Sequence, residues 1–349
     1  MTKSAEFEAL LDLSARVGAD PLLVQAAGGN TSLKEDGMLW IKASGLWLAH
    51  ARDRDVMVPV RLAPLLEALE RGDPAAEKAQ DFVDAGRNPS GLRPSVETTV
   101  HAVLPHKVVV HVHCVETITA AALADSETVV AEKLGDIPHL WLPYIRPGLP
   151  LAKVIAEKRK PDMDVLILGN HGLVVAADTV AQAQALLSKV CGRLAFAVRP
   201  SLAPDKAALR RLAEGSDYTL PEDDRLHASA TDADNCRIAA GGSLYPDHVV
   251  FLGQGATVAE PGEAAADLEA RLAEEGRPLP PLLLFPGLGV LVRRDINAGA
   301  VALAHCLAEV TSRIPADAAL RYLTDAENAE LLGWDAEKYR QALNRGDSP

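Results

Sequence analysis

A short apolar stretch with two histidines constrains the fold and the chemistry of this chain more than any other feature. Residues 107–113 read KVVVHVH, and a run of β-branched residues of this length is typical of a buried strand. Side chains two positions apart on a strand point to the same face. His111 and His113 are therefore predicted to share a face, at a spacing that lets them bind one metal ion.

A third histidine, His171, follows another apolar run in the sequence VLILGNHGLVV. Three imidazoles with one open coordination position are a common arrangement for catalytic zinc. The alternative is that each histidine is a packed and hydrogen-bonded core residue, as a single histidine in an apolar strand usually is. The HxH pair, the third histidine before a glycine and a nearby glutamate together favour a metal site.

That glutamate is Glu97, which lies in the sequence RPSVETTVHAVLP (93–105). Proline and serine before an apolar pattern predict a helix start with Ser95 as the N-cap, and the free amides at a helix start favour an anion. Glu97 and His101 are four residues apart, so they share one face of this helix. Alternatively, Glu97 is an ordinary first-turn glutamate that complements the helix dipole.

Two glycine-containing turns are predicted in residues 22–45, LLVQAAGGNTSLKEDGMLWIKASG. The pattern predicts a strand, a glycine turn, a strand, a tight Asp-Gly hairpin, a strand and a second small-residue turn. Backbone amides at such turns can bind an anion, although two ordinary hairpin turns would give the same pattern. The candidate groups are the amides of Gly28, Gly29, Ser44 and Gly45, the side chains of Asn30, Thr31 and Ser44, and the charge of Lys42.

Six segments resemble, in their order along the chain, the class II aldolase and adducin family. This family includes the zinc-dependent sugar-phosphate aldolases of the fuculose-phosphate type, and the sequence is most similar to the aldolase module of bifunctional rhamnulose-phosphate aldolase/dehydrogenases. The resemblance covers about residues 5–200. The matching segments are GGNTSLK (28–34), ASG (43–45), PSVETTVHAVLP (94–105), VHVH (110–113), PYIRPG (143–148) and NHGLVV (170–175).

The resemblance assigns roles to these residues. It implies that His111, His113 and His171 bind Zn²⁺ or another divalent metal and that Glu97 is the catalytic carboxylate. The residues that it implies for substrate phosphate are Asn30, Ser44, Gly45 and Ser95, with Lys42 as a source of charge, and Tyr144 is the candidate general acid. Fuculose-type enzymes have two serines before this glutamate, whereas the second is Val96 here. Phosphate binding is then weaker, or is supplied by Lys42 or Arg93.

The activity that the resemblance implies is cleavage of a ketose 1-phosphate to dihydroxyacetone phosphate and a short aldehyde. A metal cation stabilises the enediolate that forms, and Glu97 moves the proton. The same scaffold also supports epimerases, dehydratases and sugar-acid-phosphate decarboxylases. A non-catalytic adducin-like scaffold is a further alternative, but such a protein discards the metal ligands. Family members are typically cyclic tetramers, so we expect a homo-oligomer.

Composition excludes several other classes. The net charge of −13 argues against nucleic acid, which needs a basic face, and against anionic membranes. It does not exclude a phosphorylated substrate, which depends on local positive groups. The N-terminus lacks the features of a signal peptide, and four scattered cysteines without CxxC indicate a reducing compartment. We therefore expect a cytoplasmic protein that binds a small sugar phosphate.

The fold class predicted is α/β, with a mixed or antiparallel sheet flanked by helices. Residues 1–200 are expected to form the catalytic domain, and residues 201–349 a smaller C-terminal α/β lobe. This lobe is interpreted as a degenerate repeat that has lost its metal ligands, or else as a chance similarity. YPDHVVFLGQ (245–254) aligns with residues 104–113, and residues 282–303 align with 166–186. Leu252, Gln254 and Leu288 then replace the three histidines. No GxGxxG follows a strand, so a dehydrogenase half is not predicted.

Overall fold

The computed structural model describes residues 3–333, and the chain divides into two compact units. The first unit comprises Met1–Thr117 and Ser126–Ala195, and the second comprises Ile118–Asp125 and Phe196–Pro349. Within residues 3–333, no helix combines the length and the apolar character needed to cross a membrane.

The first unit is built on a seven-stranded sheet. Its strands are β1 (Asn30–Glu35), β2 (Met38–Lys42), β3 (Met57–Arg61), β4 (Val108–Val112), β5 (His139–Leu142), β6 (Val165–Leu168) and β7 (Gly172–Ala177). The spatial order is β3-β2-β1-β4-β7-β6-β5. Neighbouring strands are antiparallel except for β5 and β6. The predicted mixed sheet flanked by helices is confirmed, and the histidine-bearing strand β4 lies at its centre.

Helices cover both faces of this sheet. Those before residue 195 are α1 (Ala5–Ala19), α2 (Leu62–Glu70), α3 (Thr98–Val103), α4 (Val115–Ala121), α5 (Ser126–Leu134), α6 (Leu149–Lys158) and α7 (Val180–Leu194). Strand β1 shows the two faces, because side chains alternate along a strand. The Ser32 hydroxyl contacts His101 of α3, whereas the neighbouring Thr31 hydroxyl contacts Ser14 of α1.

The face that carries the histidines is packed by α3 and α6. Val109 of β4 lies in one apolar cluster with Val100 of α3 and Ile155 of α6. Position 111 has the same parity as position 109, so His111 projects towards the α3 side. All five residues of β4 are buried, as expected for a strand covered on both faces.

The loop before β1 differs from the prediction of a strand at the start of residues 22–45. The Asp20 carboxylate accepts a hydrogen bond from the Leu22 amide, and its carbonyl oxygen accepts from the amides of Leu23 and Val24. An aspartate that bonds to the following backbone promotes a turn instead of a strand. The Asp-Gly hairpin between β1 and β2 is confirmed, and both turn residues, Asp36 and Gly37, have positive φ.

One helix prediction also needs correction. Helix α3 begins at Thr98 with Glu97 as its N-cap residue, so Ser95 lies two residues before the cap. Further along the chain, α4 and α5 are separated by a break. The break coincides with strand-like pairing of Leu123 with Leu320, a long-range contact that local helix propensity does not report.

The second unit contains a smaller, four-stranded sheet in the order β8-β11-β10-β9. Its strands are β8 (Tyr218–Thr219), β9 (Thr257–Val258), β10 (Leu282–Phe285) and β11 (Gly289–Arg293). The helices after residue 195 are α8 (Lys206–Leu212), α9 (Ala228–Thr231), α10 (Ala233–Ala240), α11 (Pro246–Leu252), α12 (Ala265–Glu274), α13 (Ala298–Arg313) and α14 (Asp325–Gly333). Its apolar core includes Leu268, Leu283 and Leu291.

The predicted repeat holds only in part. Residues 282–313 form strand, turn, strand and helix, as predicted. The strand predicted at 245–254 is wrong, because this segment forms the helix α11. Pro246 occupies its first turn, where proline fits a helix well, and every residue of α11 is buried. A short apolar run that is buried on all sides has no periodicity to distinguish a strand from a helix.

Candidate active site

Three histidine side chains converge in the first unit. His111 lies in β4, His113 directly after it, and His171 in the turn between β6 and β7. Their ring centroids are 4.9 to 5.2 Å apart, and one nitrogen from each lies within 4.8 Å of the others. The sequence did not reveal this proximity of His171, but the antiparallel pairing of β4 with β7 produces it.

The turn that carries His171 has a special backbone. Asn170 has a φ of 51°, in the left-handed region that asparagine tolerates better than most residues. Gly172 follows, and a Cβ at that position would lie 2.5 Å from the Val112 carbonyl oxygen. No side chain fits there, so the glycine allows the turn to approach β4 closely and brings the His171 ring to the other two.

The orientation of His111 suits a metal ligand. Its Nδ1 lies 3.0 Å from the Leu173 carbonyl oxygen, which can only accept, so Nδ1 carries the proton and Nε2 presents its lone pair to the cluster. His113 Nε2 is 3.2 Å away, near the distance of roughly 3.4 Å between two tetrahedral ligands with bonds of about 2.1 Å. Burial lowers the pKa of His111 to about 4, so its imidazole is neutral, the form that binds metal.

Glu97 lies against this cluster. Its Oε2 is 3.3 Å from Nε2 of His111, and its Oε1 is 3.6 Å from Nε2 of His171. Burial acts to raise the pKa of Glu97, but the three imidazoles and a hydrogen bond from Asn30 outweigh it and hold the pKa well below its usual range. The carboxylate is therefore ionised.

The donor set fits a divalent cation. Three buried imidazoles and one ionised carboxylate converge on a single point of the unit. Oε1 of Glu97 is buried and accepts no hydrogen bond from any residue between 3 and 333. A buried carboxylate oxygen without a donor is costly, and a cation or a substrate hydroxyl at this position would satisfy it.

Asn30 connects the first strand to this carboxylate. Its Nδ2 donates to Oε2 of Glu97 at 2.8 Å and to Oγ of Ser95 at 3.1 Å. The Ser95 hydroxyl oxygen also accepts from the Glu97 amide at 3.2 Å. Asn30 pairs with His111 across β1 and β4. The sheet register therefore places Asn30 beside a histidine that is 81 positions later in the chain.

Lys42 occupies a different environment from the one expected for a phosphate ligand on a loop. Its side chain is 2% exposed, and Nζ donates to the carbonyl oxygens of Ala27 and Gly29 at 2.6 and 3.0 Å. These carbonyls belong to the glycine turn before Asn30. Gly29 has a φ of 58°, and a Cβ there would lie 2.9 Å from the His111 carbonyl oxygen. Lys42 thus fixes the turn that delivers Asn30 to the site.

Ser44 and Gly45 lie next to Ser95 through backbone pairing. The Ser44 amide donates to the Arg93 carbonyl oxygen at 2.9 Å, and the Ser95 amide donates to the Lys42 carbonyl oxygen at 3.1 Å. The predicted second turn and the predicted helix start therefore meet. Because the Ser44 amide is already bonded, this turn has fewer backbone donors for an anion than the sequence indicated.

Tyr144 follows β5, at the edge of the same sheet. Gly169, two residues before His171, packs directly against its backbone, since a Cβ on Gly169 would lie 3.0 Å from the Tyr144 nitrogen. Arg146, two residues after Tyr144, donates a hydrogen bond to Glu77 at 2.6 Å. The structure thus brings Tyr144 close in space to the turn that carries His171.

Comparisons with known proteins identify the family of this chain. The sequence profile described as "Class II Aldolase and Adducin N-terminal domain" matches residues 8–191, more than half of the 349 residues. The chain belongs to the class II aldolase and adducin family. A curated relative from Bacillus subtilis (strain 168), named "Uncharacterized oxidoreductase YuxG", is 31% identical over 187 residues. These residues are 49% of this chain but 26% of that protein, so the chain spans about a quarter of the relative's length.

Solved structures of the family are also similar. The N-terminal class II aldolase domain of a conserved protein from Thermoplasma acidophilum is 31% identical, with a TM-score of 0.48, and the match covers 56% of this chain and 93% of that chain. The L-fuculose-1-phosphate aldolase from Thermus thermophilus is 19% identical, with a TM-score of 0.35, covering 59% and 97%.

One polar pair close to Glu97 was not singled out from the sequence. Oγ of Ser32 is 2.7 Å from Nδ1 of His101, and both residues are fully buried. Burial lowers the pKa of His101 to about 3, so the ring is neutral. The four-residue spacing of Glu97 and His101 gave a shared helix face, but the partner on β1 depends on strand register. The pair joins α3 to the sheet one turn beyond the carboxylate.

Proposed function

We propose that this chain is a divalent-metal-dependent aldolase that cleaves a ketose 1-phosphate of the rhamnulose or fuculose type. The products would be dihydroxyacetone phosphate and a short aldehyde. The observation that carries the proposal is the buried carboxylate of Glu97, set 3.3 and 3.6 Å from two of three converging imidazoles. A scaffold protein would need neither a buried charge nor three imidazoles that converge on one point.

The chemistry follows from the roles of these groups. Zinc or a similar ion held by His111, His113 and His171 would act as a Lewis acid for the negative charge that develops when the carbon–carbon bond breaks. Glu97, ionised by its surroundings, would take the proton from the substrate hydroxyl and return it to the new carbanion centre. Asn30 holds that carboxylate in place through its 2.8 Å hydrogen bond. Tyr144, our candidate general acid, would donate a hydrogen bond to the oxygen that becomes the aldehyde; this oxygen loses its proton during cleavage and regains one in the reverse reaction.

Substrate phosphate is assigned to the surface formed by Asn30, Ser44, Gly45 and Ser95. The pairing of residues 42–45 with 93–95 supports this assignment, because it brings two small polar segments together. Lys42 would act through its charge and through the turn that it holds. Anchoring the phosphate would fix the reacting bond relative to Glu97, which is how binding energy contributes to orientation.

The remaining proposals concern the whole chain. We assign catalysis to residues 1–200 and a packing or assembly role to residues 201–349, within a homo-oligomer that we expect to be a tetramer. Free thiols at all four cysteines fit a reducing compartment such as the cytoplasm. Zinc is the expected metal because three imidazoles are its typical catalytic ligands.

Metal analysis of the purified protein tests the site. We expect about one divalent ion per chain, its loss in His113→Ala, and its retention in His50→Ala, which replaces a half-exposed histidine. Metal content that is unchanged in His113→Ala would refute the ligand assignment. A screen of ketose 1-phosphates and sugar-acid phosphates, with triose phosphate release as the signal, tests the reaction. Turnover of a sugar acid without triose phosphate would indicate decarboxylation or dehydration instead.

A further inference from the structure

Two cysteines face each other beside the metal cluster. Cys114 follows His113 directly in the chain, and Cys191 lies in α7. Their Sγ atoms are 3.4 Å apart. An S–S bond is about 2.05 Å long, so the sulfurs need to approach by only about 1.4 Å to join. The two residues are 77 positions apart in the sequence, and no CxxC pattern marks them.

The surroundings of the pair differ on its two sides. Cys114 is 1% exposed. Cys191 is only partly buried. Cys191 is therefore the more accessible thiol of the pair, the one that an external reagent reaches first.

We propose that Cys114 and Cys191 form a reversible redox site. The Cys191 thiolate attacks oxidised glutathione, forms a mixed disulfide and releases one glutathione thiolate. The Cys114 thiolate then attacks the Cys191 sulfur and releases the second. The protein dithiol loses two electrons and two protons, and oxidised glutathione becomes two reduced glutathione molecules. Disulfides in a reducing compartment are usually transient and of this regulatory kind.

Closing the bond should weaken the three-histidine site. A shift of the Cys114 backbone towards α7 would also move the backbone of His113, to which it is directly linked. The His113 Nε2 lies 3.2 Å from His111 Nε2, so a shift of this ring changes the spacing of the ligands. Perturbing the groups that support a ligand typically lowers metal affinity about 10- to 100-fold. This half of the inference rests on the proposed metal site, whereas the disulfide itself does not.

The experiment uses the full chain in glutathione buffers of increasing oxidised fraction. Free thiols are alkylated, and trypsin then yields residues 108–133, which contain Cys114, and residues 190–193, which contain Cys191. We expect these two peptides to become linked and to separate on reduction. Binding of Co²⁺, measured by equilibrium dialysis, should weaken about tenfold or more on oxidation. Cys191→Ser should form no link and keep its affinity, and Cys236→Ser, which removes a buried thiol of the second unit, should behave as wild type.

Each result tests a different part of the proposal. If both thiols remain alkylated under oxidising conditions that link other protein dithiols, the redox site is refuted. If the link forms and Co²⁺ affinity is unchanged, the coupling to the histidines is refuted. If the reduced protein binds no Co²⁺, the proposed metal site fails, and the linked peptide still decides whether the dithiol is redox-active. Cys191→Ala replaces Cys191→Ser if the serine variant misfolds.

Discussion

Replacement of Glu97 by glutamine is the sharpest test of the proposed chemistry. Glutamine has nearly the same shape as glutamate, and its side-chain oxygen can still accept the hydrogen bond that Asn30 donates at 2.8 Å. The negative charge near His111 and His171 is lost, and with it the ability to take a proton. The variant therefore separates proton transfer from packing and from the position of helix α3.

The expected magnitude follows from the role. A positioned general base contributes about 10²- to 10⁴-fold to the rate, which corresponds to about 3 to 5 kcal/mol of the activation barrier. We expect kcat to fall by this factor, with a small change in KM, because the assigned phosphate contacts do not involve the carboxylate. Metal content should remain near that of the wild type, since the three imidazoles are unchanged.

Steady-state turnover with the best ketose phosphate, together with metal analysis and a thermal melt, checks this expectation. Glu67→Gln is the matched control, because Glu67 is an exposed glutamate of helix α2, and it should leave kcat unchanged. A loss of less than about tenfold in a folded, metal-loaded Glu97→Gln variant would contradict the role of a general base. Glu97 would then be a helix-start residue that also orders Asn30.

Three further outcomes follow from the structure. Gly172→Ala should lose metal, because its Cβ would lie 2.5 Å from a backbone oxygen, whereas Gly192→Ala, with open space, should be stabilising by about 0.5–1 kcal/mol in thermal melts. Burial lowers the pKa of His248 to about 4, so the unfolded state takes up a proton at a higher pH than the folded state does. The free energy of unfolding should therefore fall as the pH is lowered from about 6.5 to 4. In unfolding titrations of His248→Gln this loss should be smaller by up to about 3 kcal/mol. Truncation after residue 200 should give insoluble protein, because residues 118–125 then lose their backbone partners near position 320; a soluble monodisperse fragment would refute this.

The sequence predicted the parts of the site that depend on local periodicity. His111 and His113 share a face because side chains alternate on a strand, and the β-branched run KVVVHVH is typical of a strand. The Asp-Gly hairpin was also predictable from the sequence, since both of its turn residues tolerate positive φ. The nearness of His171 and Glu97 required the pairing of strands that are distant in the chain. For these two residues the resemblance to a family carried the prediction, not the spacing.

The features that the sequence did not predict depend on hydrogen bonds and contacts that hydrophobic periodicity does not report. Asp20 bonds to three following amides and turns the chain where the apolar letters LLV indicated a strand. The ammonium of Lys42 donates to two backbone carbonyls of the glycine turn, a contact that its position in the sequence did not indicate; its role towards phosphate stays a prediction. The contact between Cys114 and Cys191 has no local signature at all, because it arises from the packing of α7 against β4 and β7.

The second hairpin shows what separates a ligand from a core histidine. β10 and β11 repeat the three-residue turn of β6 and β7, with Phe285 paired to Gly289 as Leu168 is paired to Gly172. Leu288 takes the position that corresponds to His171. The Cβ position of Gly289 meets Nδ1 of His227 at 2.5 Å, and that nitrogen accepts a hydrogen bond from the Val290 amide.

The acceptor nitrogen of His227 is thus already bonded to a backbone amide, and this single imidazole serves packing. In the first unit the corresponding glycine lies under two imidazoles, at 3.4 Å from His113 and 3.5 Å from His111, and a third projects from the same turn. One nitrogen of each imidazole lies within 4.8 Å of those of the other two. Among the histidine, cysteine and acidic side chains of residues 3–333, these three histidines are the only group of three whose ligand atoms converge. The same hairpin therefore supports a metal site in one unit and a packed core in the other, and the neighbouring strand decides which.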